Sequence, residues 1–348
     1  MTYAIRAAFA VQAGFCRETG SAFTAALLEV LSETLDRDTQ TGRAILDWPG
    51  DCLADALPLR LTGGLHALAR SGAFSPLSEL YRSGEGDIAA VLGETLVRFD
   101  DRLTPWLDSP PQTNEVGRSG ALMAGLMVAA ARLAMPVELL ELGSSAGLNL
   151  NLDRFHYRLG GVEAGPGGSG VRIAPEWRGP PPPEVWPEIV ARAGVDRNPL
   201  DVSDRAVAER LIAYVWPDQA ERLARIEAAI ALAQSHRPPV EQSDAAEWIE
   251  GRLAEPQPPG RARIVAHSVF WQYPPPETRA AIKAAIEAAG AEATTETPLA
   301  WLTFEPKATV AIMHLDLRLW PGDETLHLGT CHPHGTWINW AGAGPAGG

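Results

Sequence analysis

From the first residue to about residue 134, apolar side chains recur three and four positions apart. Phe23, Leu27, Leu28 and Leu31 fall on one helical face; Leu57, Leu61, Leu65 and Leu68 form another, and Leu92, Leu96 and Phe99 a third. β-Branched runs are scarce in this third of the chain, so the pattern predicts a helical region. The apolar stretch Ala7 to Phe15 is broken by Gln12 and followed by Arg17 and Glu18, which fits a first helix better than a secretion signal. Gly63-Gly64 and Ser71-Gly72 are expected to punctuate the second helical segment. Pro110-Pro111 closes the region. Thr113 or Asn114 is then placed to cap a helix whose apolar body runs from Ala121 to Leu133.

The pattern changes at Pro136. Val137 to Leu142 reads as a short buried strand that runs into Gly143-Ser144-Ser145-Ala146-Gly147, and Leu148 to Phe155 fits a helix after it. Strand, glycine loop and helix open a parallel α/β sheet. Residues 160–187 are rich in Gly and Pro and are expected to form an insertion loop or hairpin, with Val171-Arg172-Ile173 as a short strand. A second sheet strand is expected to end at Asp196. Pro217 divides a helical stretch lined by Val207, Leu211 and Tyr214 before it and by Leu223, Ile226 and Ile230 after it. Arg263 to Val269 is the clearest late strand, and Glu277 to Ala289 a helix expected to end at Gly290. From Thr309 the chain alternates: Ala311, Met313, Leu315 and Leu317 share a face, Gly322-Asp323 turns, and Leu326 to Trp340 returns. The expected fold is therefore α/β: a helical region over 1–112, then a Rossmann-like, mostly parallel sheet over 113–348 with a C-terminal antiparallel hairpin.

Composition narrows the function classes. At 348 residues, with 46% apolar and 21% charged side chains, the chain has material for a substantial core. Its formal charge of −14 disfavours general nucleic-acid binding, because such a surface repels phosphate. No uninterrupted run long enough to span a bilayer is apparent, so no membrane role is expected. Three cysteines, Cys16, Cys52 and Cys331, lie far apart in sequence; an odd, sparse set points to a reducing compartment and a cytoplasmic protein.

The segment Glu141-Leu142-Gly143-Ser144-Ser145-Ala146-Gly147-Leu148-Asn149 carries the strongest chemical signal. Gly143 permits a sharp turn off the strand, and Gly147 a close approach to the loop. Amides at the N-terminus of the next helix would favour polar or anionic ligand groups. An acid at the strand end, Glu141, suits an ammonium or hydroxyl. The dinucleotide fingerprint G-x-G-x-x-G is not met, since Ser145 stands at the middle glycine and no third glycine follows in register.

The segment resembles the first motif of class I S-adenosylmethionine-dependent methyltransferases, acid-x-Gly-x-Gly-x-Gly, with Ser145 in place of the middle glycine. Ala193-Gly194-Val195-Asp196 resembles that family's second strand, whose acid holds the ribose hydroxyls, and Ser243-Asp244-Ala245-Ala246 its Asp-Ala segment at the adenine. Ile264 to Tyr273 falls where the family's fourth strand ends beside the reacting methyl. The resemblance implies S-adenosylmethionine as cofactor, held by Glu141, Gly143, Ser144, Ser145, Gly147, Asn149, Asp196, Asp244 and Ala245, with Glu115 and Arg118 reaching its methionine end. His267 would be the general base, with Gln272 and Tyr273 orienting an acceptor, small molecule or protein. Trp271-Gln272-Tyr273-Pro274-Pro275 differs from the Asp-Pro-Pro-Tyr type that marks methylation of base amino groups. Four blocks, Thr113 to Ser119, Asn198 to Val202, Val215 to Gln219 and His267 to Tyr273, are also similar to an uncharacterised bacterial family with a domain of unknown function.

Other readings stand beside this one. A non-catalytic nucleoside-binding or regulatory protein would keep the same fold. Gly143-x-Ser145-x-Gly147 also has the spacing of a serine-hydrolase elbow, with Asp244 and His267 or His332 in chain order for a triad. His314 with Asp316, and His332 with His334, share strand faces as metal ligands would, although Pro333 disfavours a central strand there; packed or solvated histidines are the favoured reading.

Overall fold

The computed structural model describes residues 2–307 and 312–342; Thr309 and Ala311 of the alternating tail lie outside them. The chain divides into two compact units, 1–113 with 203–227, and 114–202 with 228–348. The boundary expected at 112/113 falls one residue from the first break. Residues 203–227, which the sequence placed in the α/β part, belong to the helical unit.

In the first unit the apolar stripes make helices Thr2–Glu18, Ala22–Thr34, Leu57–Arg70 and Ile88–Arg98, with shorter ones between. They share a core that includes Phe9, Leu28, Leu31, Leu61, Leu65, Leu77 and Leu92. Gly63-Gly64 does not interrupt its helix. The bare glycine faces admit the rings of Tyr214 and Trp106, and a Cβ on Gly63 would lie 2.6 Å from Tyr214. His66 on the same helix is buried, its Nδ1 3.0 Å from the Ala213 carbonyl, and burial pushes its pKa down to about 4.

The second unit holds the strands, numbered in chain order: β1 Val137–Leu142, β2 His156–Leu159, β3 Val162–Ala164, β4 Arg172–Ile173, β5 Glu176–Arg178, β6 Ile189–Asp196, β7 Val240–Gln242, β8 Ala262–Ser268, β9 Leu299–Pro306, β10 Met313–Trp320, β11 Glu324–Cys331 and β12 Trp337–Trp340. Nine make one sheet in the order β5-β12-β11-β10-β9-β8-β1-β6-β7, and β3-β2-β4 form a small second sheet, with β3 and β4 in the Gly/Pro-rich insertion and β2 just before it. Strands β7, β6, β1, β8 and β9 run parallel, while β10, β11 and β12 join antiparallel. The strand β9 was not foreseen. The stretch after Gly143–Gly147 is a 3₁₀ segment, Leu148–Arg154, kinked at Asn151, instead of the expected α-helix. The late helix runs on past Gly290, over Pro276–Glu292.

Both faces of the sheet are covered. On one, Leu140, Leu142, Val195 and Val265 pack with Trp248, Ile249, Ile282 and Ile286 from helices Ala245–Ala254 and Pro276–Glu292. On the other lies helix Ser119–Leu133, almost wholly buried. The stretch Val116–Leu133 is long and apolar enough to cross a membrane, which the sequence reading did not anticipate, but 78% of it is buried inside the protein. Gly125 sets its closeness to the sheet: a Cβ there would lie 2.5 Å from Leu302 Cδ1. Gly125→Val is expected to destabilise the fold by about 1–3 kcal/mol, because the added volume has nowhere to go. Denaturant unfolding checks this; an unchanged midpoint would show the helix to be loosely seated.

Candidate functional site

The C-terminal ends of the parallel strands gather most of the residues singled out in the sequence. β1 is central, and its neighbours β6 and β8 end beside it: Leu142 pairs with Val195 on one side and His267 on the other. The chain leaves β1 through Gly143, at φ 69°, and passes Ser145, also left-handed at φ 54°. A serine there is strained, and such strain gathers at functional sites.

Four of the loop's amides are already engaged. Gly143 and Ser144 both donate to the Val195 carbonyl, Gly147 donates to the Ser144 carbonyl, and Leu148 donates to Asn114 Oδ1 at 2.9 Å. The Ser145 amide donates to Asp196 Oδ2 at 2.8 Å. The expected anion cradle at a helix N-terminus is therefore corrected: the helix is a short 3₁₀ segment, and these donors are satisfied within the protein. The glycines serve packing. A Cβ on Gly143 would sit 2.4 Å from the Phe270 ring, and one on Gly147 2.7 Å from Val240.

What the site offers instead is unpartnered side-chain polar atoms. Glu141 is 5% exposed, and burial, with the Asp196 charge adding to it, lifts its carboxyl to about 8 against the opposing effects of Ser144 and Arg118. Burial thus favours its neutral form. Its Oε2, the Ser145 Oγ and the Asn149 Oδ1 are buried and have no hydrogen-bond partner among the described residues. Buried polar atoms are rarely left so unless water or a ligand completes them. Asn149 Nδ2 donates to the Glu115 carbonyl, the Glu115 side chain accepts from the Gly117 amide, and Arg118 donates to the carbonyls of Pro333 and Ser268. Glu115 and Arg118 thus help to build the wall of the site.

Asp196, at the end of β6, accepts from Ser145 and, through Oδ1, from the Asn198 amide at 2.9 Å. The Leu200 amide donates to the Ser145 carbonyl, which ties the block Asn198 to Val202 to the loop. Asp244 caps helix Ala245–Ala254 by accepting from the Ala246 amide, and Ala245 is buried as the helix's first residue. The Ser243 amide donates to the Asp196 carbonyl, so both acids lie at the same end of the sheet as Gly143.

His267 is the last side chain but one of β8 and is 1% exposed. Register places it with Leu142, whereas Glu141 pairs with Ala266, so His267 and Glu141 face opposite sides of the sheet. The sequence reading missed its partner, Glu305 at the end of β9, whose Oε1 is 2.7 Å from His267 Nδ1 and also accepts from the Phe270 amide. No motif marks Glu305; only the pairing of β8 with β9 brings it there. His267 stacks on Trp271 with ring centroids 5.1 Å apart, and Phe270 and Trp301 border it. Gln272 and Tyr273, expected to orient an acceptor, are both exposed on the turn that follows, and Tyr273 is 74% exposed.

The other constellations are less organised. Ser145 Oγ and His267 Nε2 are both unpartnered, so they are not bonded to one another, and Asp244 is engaged in capping. On the hairpin Asp316 pairs with His327 and Lys307, at 2.7 and 2.8 Å. Among the described residues no group of three or more His, Cys, Asp or Glu side chains is arranged to hold a metal.

A large, mostly parallel sheet with buried, unsatisfied polar atoms at its C-terminal edge defines an α/β protein with a candidate ligand site. The chain belongs to the family DUF2332, described as an uncharacterised protein conserved in bacteria, which it matches over residues 6–340. No curated protein and no solved structure matches it.

Proposed function

We propose that the second unit binds S-adenosylmethionine at the C-terminal ends of β7, β6, β1 and β8 and transfers its methyl group to a small-molecule or protein acceptor. The observation that carries this reading is the trio of unpartnered buried atoms, Glu141 Oε2, Ser145 Oγ and Asn149 Oδ1, beside β1. Strand order supports it. In chain order the parallel strands β7, β6, β1, β8 and β9 lie third, second, first, fourth and fifth, the doubly wound arrangement, and ligands of such sheets sit where the order reverses, between β1 and β8.

The side chains suit this cofactor through acceptors more than through main-chain donors. Asp196 keeps lone pairs for the ribose hydroxyls, and Asp244 for the adenine amino group. Glu141 suits the ammonium, whose arrival favours the ionised carboxyl and releases a proton at pH 7. The cofactor supplies an already electrophilic methyl carbon, so the chain has mainly to hold an acceptor in line and take a proton from it. Buried free thiols at Cys16, Cys52 and Cys331 agree with a cytoplasmic setting.

Calorimetry of the whole chain with S-adenosylmethionine and S-adenosylhomocysteine tests the reading. Binding is expected for both. Asp196→Asn, which keeps an acceptor for the Ser145 amide, is expected to weaken it roughly 10- to 100-fold, the worth of hydrogen bonds to a charged group. No heat at millimolar ligand ends the proposal. Labelling of Ser145 by a fluorophosphonate would favour hydrolysis in its place.

A further inference from the structure

We propose that Glu305 holds His267 in the Nδ1–H tautomer, leaving Nε2 as the proton acceptor of this protein, and that its substrate presents a neutral O–H or N–H flanked by apolar or aromatic surface. Three independent features meet here. Glu305 Oε1 lies 2.7 Å from Nδ1, a short contact of the charge-assisted kind. A carboxylate at that nitrogen selects the tautomer in which the other nitrogen carries a lone pair. That other nitrogen, Nε2, is buried and has no hydrogen-bond partner among the described residues; the same holds for Glu305 Oε2 and Trp301 Nε1. A histidine kept for packing alone would be expected to use both ring nitrogens.

The third feature is the backbone. Val269, two residues on, is left-handed at φ 52°. For a β-branched residue this is a costly conformation, of order 1–3 kcal/mol, held only where the surroundings demand it. It begins the turn that carries Phe270 and Trp271 over the imidazole and leaves Gln272 and Tyr273 exposed.

The walls define the substrate class. Phe270, Trp271 and Trp301 surround the imidazole, and Glu305 is already engaged with Nδ1 and the Phe270 amide. A group that is anionic at neutral pH needs no base, whereas a hydroxyl or a neutral N–H does. Resting on the methyl-transfer reading, the step balances as follows. The acceptor's O–H or N–H bond breaks and its proton passes to Nε2, forming an imidazolium beside the Glu305 carboxylate. The freed electron pair of the acceptor bonds the methyl carbon, and the C–S electron pair returns to sulfur. The proton then leaves Nε2 for solvent. Glu305 acts through His267 as a positioning residue.

The test is the tautomer, read by long-range ¹H–¹⁵N correlation on the ligand-free whole chain, with His267 assigned by its loss in His267→Gln. The expected result is a protonated Nδ1 and an unprotonated Nε2 at neutral pH. Glu305→Gln, whose carboxamide oxygen accepts the same proton, is expected to keep that pattern. Glu305→Leu is expected to lose the single fixed tautomer. A protonated Nε2 in the wild-type protein, whether as the other neutral tautomer or as imidazolium, overturns the proposal, and so does an unchanged spectrum in folded Glu305→Leu. The wild-type spectrum decides even if that variant fails to fold. Because no cofactor is present, absent calorimetric binding would remove the methyl donor without touching this result, and a protonated Nε2 would remove the base even if the donor binds.

Discussion

Glu141→Gln is expected to make the protein more stable than the wild type above pH 8 and to flatten its stability between pH 5 and 8. The ordinary value for a glutamate is 4.5, and burial lifts Glu141 to about 8. Below the ordinary value both folded and unfolded chains hold the proton. Between the two values only the folded chain holds it, so each rise in pH favours unfolding. The loss is complete above the folded value. At about 1.4 kcal/mol per unit the change amounts to a few kcal/mol across this window. Glutamine is close in shape and carries no charge to desolvate. Guanidinium unfolding at pH 5, 7 and 9 measures the effect; parallel pH profiles for the two proteins would show that Glu141 is already solvated or paired. A saturating cation at this carboxyl should shrink the difference, since binding then favours the ionised form.

Arg263→Met is expected to cost about 3–5 kcal/mol, the largest single loss we anticipate. Arg263 is 3% exposed on β8. Its Nε donates to Glu138 Oε2 at 2.8 Å, and its Nη1 donates to the carbonyls of Arg252 and Glu255. Methionine fills much of the volume but strands a carboxylate that is 16% exposed and frees both carbonyls. The double variant Glu138→Met/Arg263→Met is expected to regain a large part of the loss, because no unpaired charge is left behind. Equilibrium unfolding of the three variants settles this. A double variant no better than the single would mean that the helix-end carbonyls, not the ion pair, dominate.

Both effects originate in residues whose importance the linear pattern conveys unevenly. Glu141 stood out because an acid before a glycine loop is a recognisable arrangement, and a run of apolar neighbours announces burial. Arg263 opens an apolar run and reads as a strand terminus; its burial follows only from where helix Ala245–Ala254 ends. Glu305 was invisible for the same reason. Thirty-eight residues separate it from His267, and the contact exists because β9 is laid beside β8 in register.

Local chemistry left the use open where a residue had two. Asp196 and Asp244 were read as ligand acids, and each is also a brace for backbone amides, at Ser145 and Asn198 for the first and at Ala246 for the second. A carboxylate's affinity for N–H groups does not reveal whether those groups belong to a ligand or to the chain. Gly143 was read as a sharp turn and Gly147 as a point of close approach, and what approaches is the chain itself: Phe270 at the first and Val240 with Pro238 at the second.

By itself the sequence determined the periodic elements: the helical first third, the strands β1, β6 and β8, the turn at Gly322-Asp323, and the clustering of chemistry around Gly143. These follow from side-chain spacing and turn propensity, which act over a few residues. Only the tertiary structure decided which strands became neighbours, that 203–227 joined the helical unit, that the loop amides met acceptors within the protein, and that His267 acquired Glu305. Those outcomes depend on contacts between distant segments. Such contacts arise where the apolar face of one segment is matched to a partner far away in sequence, and local propensity does not encode that match.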